Sequence, residues 1–181
     1  MARNRAEDTK IFMESSKMGF ENWEYIEQEK DTKYCIFISH KHENAKEAKA
    51  IGDYIKKANI DIYLDKEDSG LQKAVKNNDD KEIVQSIEKG IAASTHILCI
   101  ISKNTKDSWW VPYEIGYAKK AKKGINSLLL KNITDIPSFL KIENLISRIE
   151  SLNKFLQSLN ENKLENYNHY SGHSLEEYME K

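Results

Sequence analysis

Between residues 34 and 130 the chain alternates short apolar runs with stretches in which apolar residues recur every three or four positions. Tyr34-Cys35-Ile36-Phe37-Ile38-Ser39 is apolar at successive positions, which predicts a central strand covered by helices on both faces. Ala48, Ile51, Gly52, Ile55 and Ala58 then follow helical spacing, a turn falls at Asn59, and Ile60-Asp61-Ile62-Tyr63-Leu64 predicts a second strand. Residues 65–78, DKEDSGLQKAVKNN, read as a long polar loop. Asp79 and Glu82 make a capping box for a helix carrying Ile83, Ile87 and Ile91.

Ile97-Leu98-Cys99-Ile100-Ile101-Ser102 predicts a third strand, and Lys103 to Asp107 a loop. Ser108 can cap a helix that runs to Gly124, and Pro112 is tolerated near its start because first-turn amides have no intrahelical partner. Ile125 to Leu130 is a fourth strand, and Asn132 to Pro137 a connection. Leu145, Ile149, Leu152, Leu156 and Leu159 mark a C-terminal helix whose apolar stripe is expected to bury on the sheet, the alternative being a copy of itself. Ser174 and Glu177 form a second capping box, which predicts a terminal helix over SLEEYMEK.

Strands alternating with helices place the chain in the α/β class with a parallel sheet. Residues 1–32 are mostly charged, with Phe12, Trp23 and Tyr25 scattered through them, and are expected to form a helical extension. Residues 33–145 hold the α/β domain, and residues 146–181 are expected to form C-terminal helices packed upon it.

Charge narrows the partners. The 28 basic and 29 acidic residues nearly cancel, so no global field favours nucleic acid or an anionic membrane. MARNRAEDTK has no apolar segment behind it, and no run approaches the roughly 18 residues of a membrane span, so a cytoplasmic protein is expected. Cys35 and Cys99 lie inside apolar runs, where free thiols suit a reducing compartment. His40 and His42 with no cysteine pair nearby make a poor zinc set, so no metal is expected, and His169 and His173 read as surface residues. The run Lys119-Lys120-Ala121-Lys122-Lys123 reads as a solvated helix end complementing the macrodipole. Neither a phosphate-cradling G-x-x-x-x-G-K-S/T string nor a G-x-S-x-G elbow is present.

Three motifs carry more. The first strand ends in Ile38-Ser39-His40, Asp65 follows the second strand, and Ser108-Trp109-Trp110-Val111-Pro112-Tyr113-Glu114 fits the pattern S-x-W-x-x-x-E. In that order and spacing, residues 33–145 resemble a bacterial Toll/interleukin-1 receptor (TIR) domain of the NAD-cleaving branch, similar to the TIR subunit of Thoeris-type antiphage systems. The resemblance implies a flavodoxin-like fold with a central parallel sheet of about five strands and helices on both faces. It also implies cleavage of the nicotinamide–ribose bond of NAD by Glu114, with the ADP-ribosyl group hydrolysed, cyclised or transferred to make a signal for a separate effector protein. NAD is the substrate, no further cofactor is implied, and self-association through TIR–TIR contacts is expected.

The chemistry explains why a carboxylate is wanted. Nicotinamide leaves from a cationic state and needs no general acid, whereas the oxocarbenium-like sugar needs an anion to complement its charge and to hold ribose hydroxyls. Trp110 stands one helical turn from Glu114 and is expected to wall the same pocket. Ser39, His40, Lys41 and Asp65 lie at strand tips, where open α/β sheets bind ligands, and are the expected NAD contacts. Lys41 would steady a phosphate and His40 would stack or donate, although several enzymatic members carry an aromatic residue or arginine in this loop. Asp65 also suits an ordinary turn. The rival readings are a non-catalytic TIR scaffold acting by self-association, which has no need of Glu114, and a deoxyribosyltransferase-like enzyme that uses glutamate on a sugar.

Overall fold

The structure is a computed structural model and describes residues 34–64, 69–160 and 172–180. Its elements in chain order are β1 (Cys35–Ser39), α1 (Ala45–Lys57), β2 (Asp61–Tyr63), α2 (Ser69–Lys76), α3 (Asp80–Ala93) and β3 (His96–Ile101). They continue with α4 (Trp110–Lys120), β4 (Gly124–Leu129), β5 (Asn144–Ile146) and α5 (Ile149–Leu159). The five strands are all parallel and lie in the order β2-β1-β3-β4-β5, so the flavodoxin-like α/β architecture expected from the sequence is the one observed.

Successive strand residues point to opposite faces, and this divides the core in two. Ile36, Ile38, Leu98, Ile100 and Leu128 pack with α1 and α5. Phe37, Ile97, Cys99, Ile101 and Leu129 pack with Ile87 and Ile91 of α3 and with Val111, Ile115 and Ala118 of α4. The C-terminal stripe of α5 therefore buries on its own sheet. One close approach fixes α3 against β2: a Cβ on Gly90 would fall 2.6 Å from the Tyr63 ring.

Local signals explain most boundaries. Asn59 adopts φ 58 after α1, a left-handed conformation that asparagine accepts more readily than most residues. The Asp79 side chain accepts from the Glu82 amide at 3.1 Å and opens α3.

Four expectations are corrected. Part of the stretch read as a polar loop is the helix α2, whose Gln72, Lys73 and Ala74 are good helix formers and whose Ala74 is buried against the body. Helix α4 stops at Lys120, before Gly124, because Lys122 turns left-handed at φ 54 and the Lys123 amide reaches back to the Ala118 carbonyl at 3.0 Å. Lys123 Nζ then donates to the carbonyls of Ala92 and Ser94 at 2.8 and 2.6 Å, satisfying the end of α3.

Leu145 lies on β5 and not on the C-terminal helix. The strand is short, and the Asn144 side-chain amide bonds that of Asn126 on β4 at 2.8 Å. Finally, Gly172–Leu175 is a 3-10 turn, and no α-helix follows it among the described residues. The Glu180 carbonyl instead accepts from the Ile149 amide at 2.9 Å, a first-turn donor of α5 with no partner in its own helix. Leu175 and Met179 are fully buried on the α1–α5 face.

The N-terminal extension over residues 1–32, Asp65 and His169 lie outside the described residues. No helix among the described residues is long and apolar enough to cross a membrane.

Candidate active site

Strand β1 ends at Ser39 beside β3, and α4 starts above this edge. Ser108 Oγ accepts from the Val111 amide at 3.3 Å, so the predicted cap is present one residue outside the first full turn. From that start, Val111, Glu114, Ile115 and Ala118 fall on the buried face of α4. Glu114 is thus a carboxylate on an otherwise apolar stripe.

Glu114 is 2% exposed and Ser39 is 0% exposed. The Ser39 hydroxyl donates to Glu114 Oε2 at 2.5 Å, a short bond of the charge-assisted kind. Cys99 stands opposite Ser39 across the β1–β3 pairing. Burial, and after it the nearby Glu114 carboxylate, push the Cys99 thiol up to about 12, while hydrogen bonding with Ser39 works in the opposite direction. The thiol therefore stays protonated at neutral pH.

The other expected contacts among the described residues lie on the segments that carry this pair, Trp110 one turn before Glu114 on α4 and His40 and Lys41 directly after Ser39. Trp110 is 42% exposed and meets Tyr113 edge-on at 6.1 Å, so its ring sits at the rim while Glu114 lies inside. The Tyr113 hydroxyl donates to Glu88 Oε1 at 2.6 Å, linking α4 to α3. His40 is half-buried, with Nδ1 3.3 Å from the Ile38 carbonyl, and donating to that carbonyl leaves Nε2 as the acceptor. Lys41 Nζ lies 3.5 Å from Glu43.

A buried polar node at the same edge had no clear sequence signal. Ser102 Oγ donates to Asn44 Oδ1 at 2.6 Å, and the Ser102 amide donates to Thr105 Oγ1 at 2.8 Å. Nearby, a cleft of about 360 Å³ opens at the carboxyl ends of β3 and β4, lined by Lys106, Pro112, Asn132, Asp135 and Phe139 among others. Val111 also lines it, but Ser39 and Glu114 do not, so this cleft and the buried carboxylate are separate features of one helix start.

A parallel α/β sheet in this strand order, with a glutamate of W-x-x-x-E on the helix after its third strand, defines the class. Residues 36–163 match the TIR domain family model, and the chain belongs to that family. The probable 3' cyclic ADP-D-ribose synthase ThsB' of Bacillus cereus (strain MSX-D12) is 27% identical over 113 residues, covering 61% of this chain and 57% of that protein. The match thus spans a little over half of the relative's length. The TIR domain of the Toll-related receptor TRR-2 from Hydra magnipapillata superposes with a TM-score of 0.50 at 12% identity, over 61% of this chain and 81% of that one, a likeness of fold alone.

Proposed function

We propose that this chain cleaves the nicotinamide–ribose bond of NAD, with Glu114 as the catalytic carboxylate. The observation that carries the reading is a glutamate anchored by Ser39 at the carboxyl ends of parallel strands, in a TIR chain similar to a protein named as a cyclic ADP-ribose synthase. The glycosidic C–N bond breaks, and nicotinamide departs with the electron pair as a neutral base. Glu114 complements the positive charge left on the ribose and holds its hydroxyls. Trp110 bounds the pocket, while His40 and Lys41 contact the nucleotide together with Asp65. NAD is the substrate, and the reaction uses no further cofactor.

Capture of the ADP-ribosyl cation by water gives hydrolysis, and capture by one of its own hydroxyls or ring nitrogens gives a cyclic product. A product of the second kind would serve as a signal to a separate effector in an antiphage system of the Thoeris type. The 2% exposure of Glu114 supports a resting state in the single chain. Self-association that rearranges the strand-tip loops is the proposed route to an open site.

The same burial also favours the second reading, a scaffold without turnover that pairs with other TIR domains. Trp109 at 92% exposure and Ile142 at 74% offer apolar surface for such contacts. One experiment separates the two. Wild type and Glu114→Gln are incubated with millimolar NAD, and every product is resolved by chromatography and mass. Glu114-dependent nicotinamide release is expected, and the mass of its partner product names the reaction. Equal turnover by Glu114→Gln, or none by concentrated wild type, overturns the enzymatic reading.

A further inference from the structure

We infer that Ser39 is a positioning residue for Glu114 and does not itself touch the substrate; this rests on the reading of Glu114 as the catalytic carboxylate. The register places Ser39 opposite Cys99 on β3 and Cys99 opposite Ser127 on β4. Three short polar side chains therefore form one row on the sheet face that α3 and α4 cover. Glu114 meets this row from above.

A serine hydroxyl has one proton to donate. In Ser39 that proton goes to Glu114 Oε2 within the buried layer, so while this bond stands the hydroxyl has no proton left to donate to a ligand. A glutamate on a rigid helix still rotates about its side-chain bonds. Anchoring Oε2 from a different element fixes the plane of the carboxylate and thereby the direction of Oε1. The neighbouring Cys99 remains a neutral thiol and adds no second anion.

Ser127 supplies an internal comparison. It is as buried as Ser39 and stands in the same row, yet its Oγ has no hydrogen-bond partner among the described residues. Removing that hydroxyl removes volume from the row without touching the Ser39–Glu114 bond.

The test measures initial rates against NAD concentration for wild type, Ser39→Ala, Ser39→Thr, Ser127→Ala and Glu114→Gln. Ser39→Ala is expected to lower kcat by about 10- to 100-fold with KM changed less than about threefold, as loss of a hydrogen bond to a charged group and misaiming of the carboxylate require. Ser39→Thr keeps the hydroxyl and restores most of kcat, and Ser127→Ala stays near wild type. Should Ser39→Ala prove insoluble, Ser39→Cys, a weak donor of similar shape, carries the same expectation.

Full kcat in Ser39→Ala, a loss confined to KM, or no rescue by threonine overturns the inference. Turnover that survives Glu114→Gln overturns the enzymatic reading instead. A denaturation cycle keeps the two apart even where no NAD is cleaved. Ser39→Ala should lower the unfolding midpoint in the wild-type background and much less in a Glu114→Leu background. An equal drop in both overturns the coupling.

Discussion

Asn44 and Ser102 are joined by a buried hydrogen bond across the tips of β1 and β3, with Ser102 Oγ donating to Asn44 Oδ1 at 2.6 Å. This bond closes the loop that carries His40 and Lys41, because Asn44 ends that loop and its amide also donates to the Lys41 carbonyl at 2.8 Å. Replacing Asn44 by Leu removes the 2.6 Å acceptor and leaves the buried Ser102 proton only Thr105 Oγ1 at 3.4 Å, while the Asn104 amide still donates to Ser102 Oγ at 3.1 Å. The expected cost is about 1–3 kcal/mol of stability, read from chemical denaturation, together with a raised KM for NAD as the loop loosens. An unchanged midpoint would show that the node carries no structural tension.

Two glycines on the α3–α4 layer should respond in opposite senses to the same substitution. Gly90→Ala drives a methyl to 2.6 Å from the Tyr63 ring and is expected to destabilise by about 1–3 kcal/mol through overpacking. Gly116→Ala, on exposed α4 surface with nothing within 4 Å of the new carbon, should stabilise by about 0.5–1 kcal/mol through helix propensity. Thermal unfolding of the two variants checks both signs at once.

Cys99 should be chemically silent in the folded protein. Its thiol is held up to about 12 by burial and by Glu114, so iodoacetamide at neutral pH should label it only after denaturant is added. Rapid labelling of native protein, located by peptide mass, would mean that the layer beneath α4 opens spontaneously.

His96 gives the fold a dependence on acid. Burial holds its imidazole below the ordinary value of 6.5, with its ring 5.7 Å from that of Tyr34 and 6.0 Å from that of Phe155. Between the folded and unfolded values the unfolded chain binds more protons, so stability rises with pH across that window. The contribution is present above 6.5 and is lost as pH falls through the lower, folded value. His96→Gln should flatten this segment of a stability–pH curve, and an unaltered slope would place the titration elsewhere.

The strands were legible because their signal is local. Tyr34 to Ser39 and Ile97 to Ser102 are apolar at successive positions, which a strand buried on both faces requires, and the side chain of Asp79 caps α3 as its spacing with Glu82 suggested. β5 was hidden for the converse reason. It has 3 residues, of which Asn144 and Leu145 are exposed, and only its pairing with β4 makes it a strand.

The candidate site divides in the same way. The motif over Ser108 to Glu114 put a carboxylate on α4, and helical spacing gave its distance from Trp110. The bond from Ser39 spans 75 positions and depends on β1 lying beside β3, a fact of strand order that no local pattern contains. The row of Ser39, Cys99 and Ser127 likewise appears only once the register is known.

Leu175 and Met179 seal the α1–α5 face, and the Tyr178 carbonyl accepts from the Lys131 amide at 2.8 Å. The layer holding α1 therefore closes only when segments far apart along the described chain meet, a long-range contact that forms more slowly than the helices it joins.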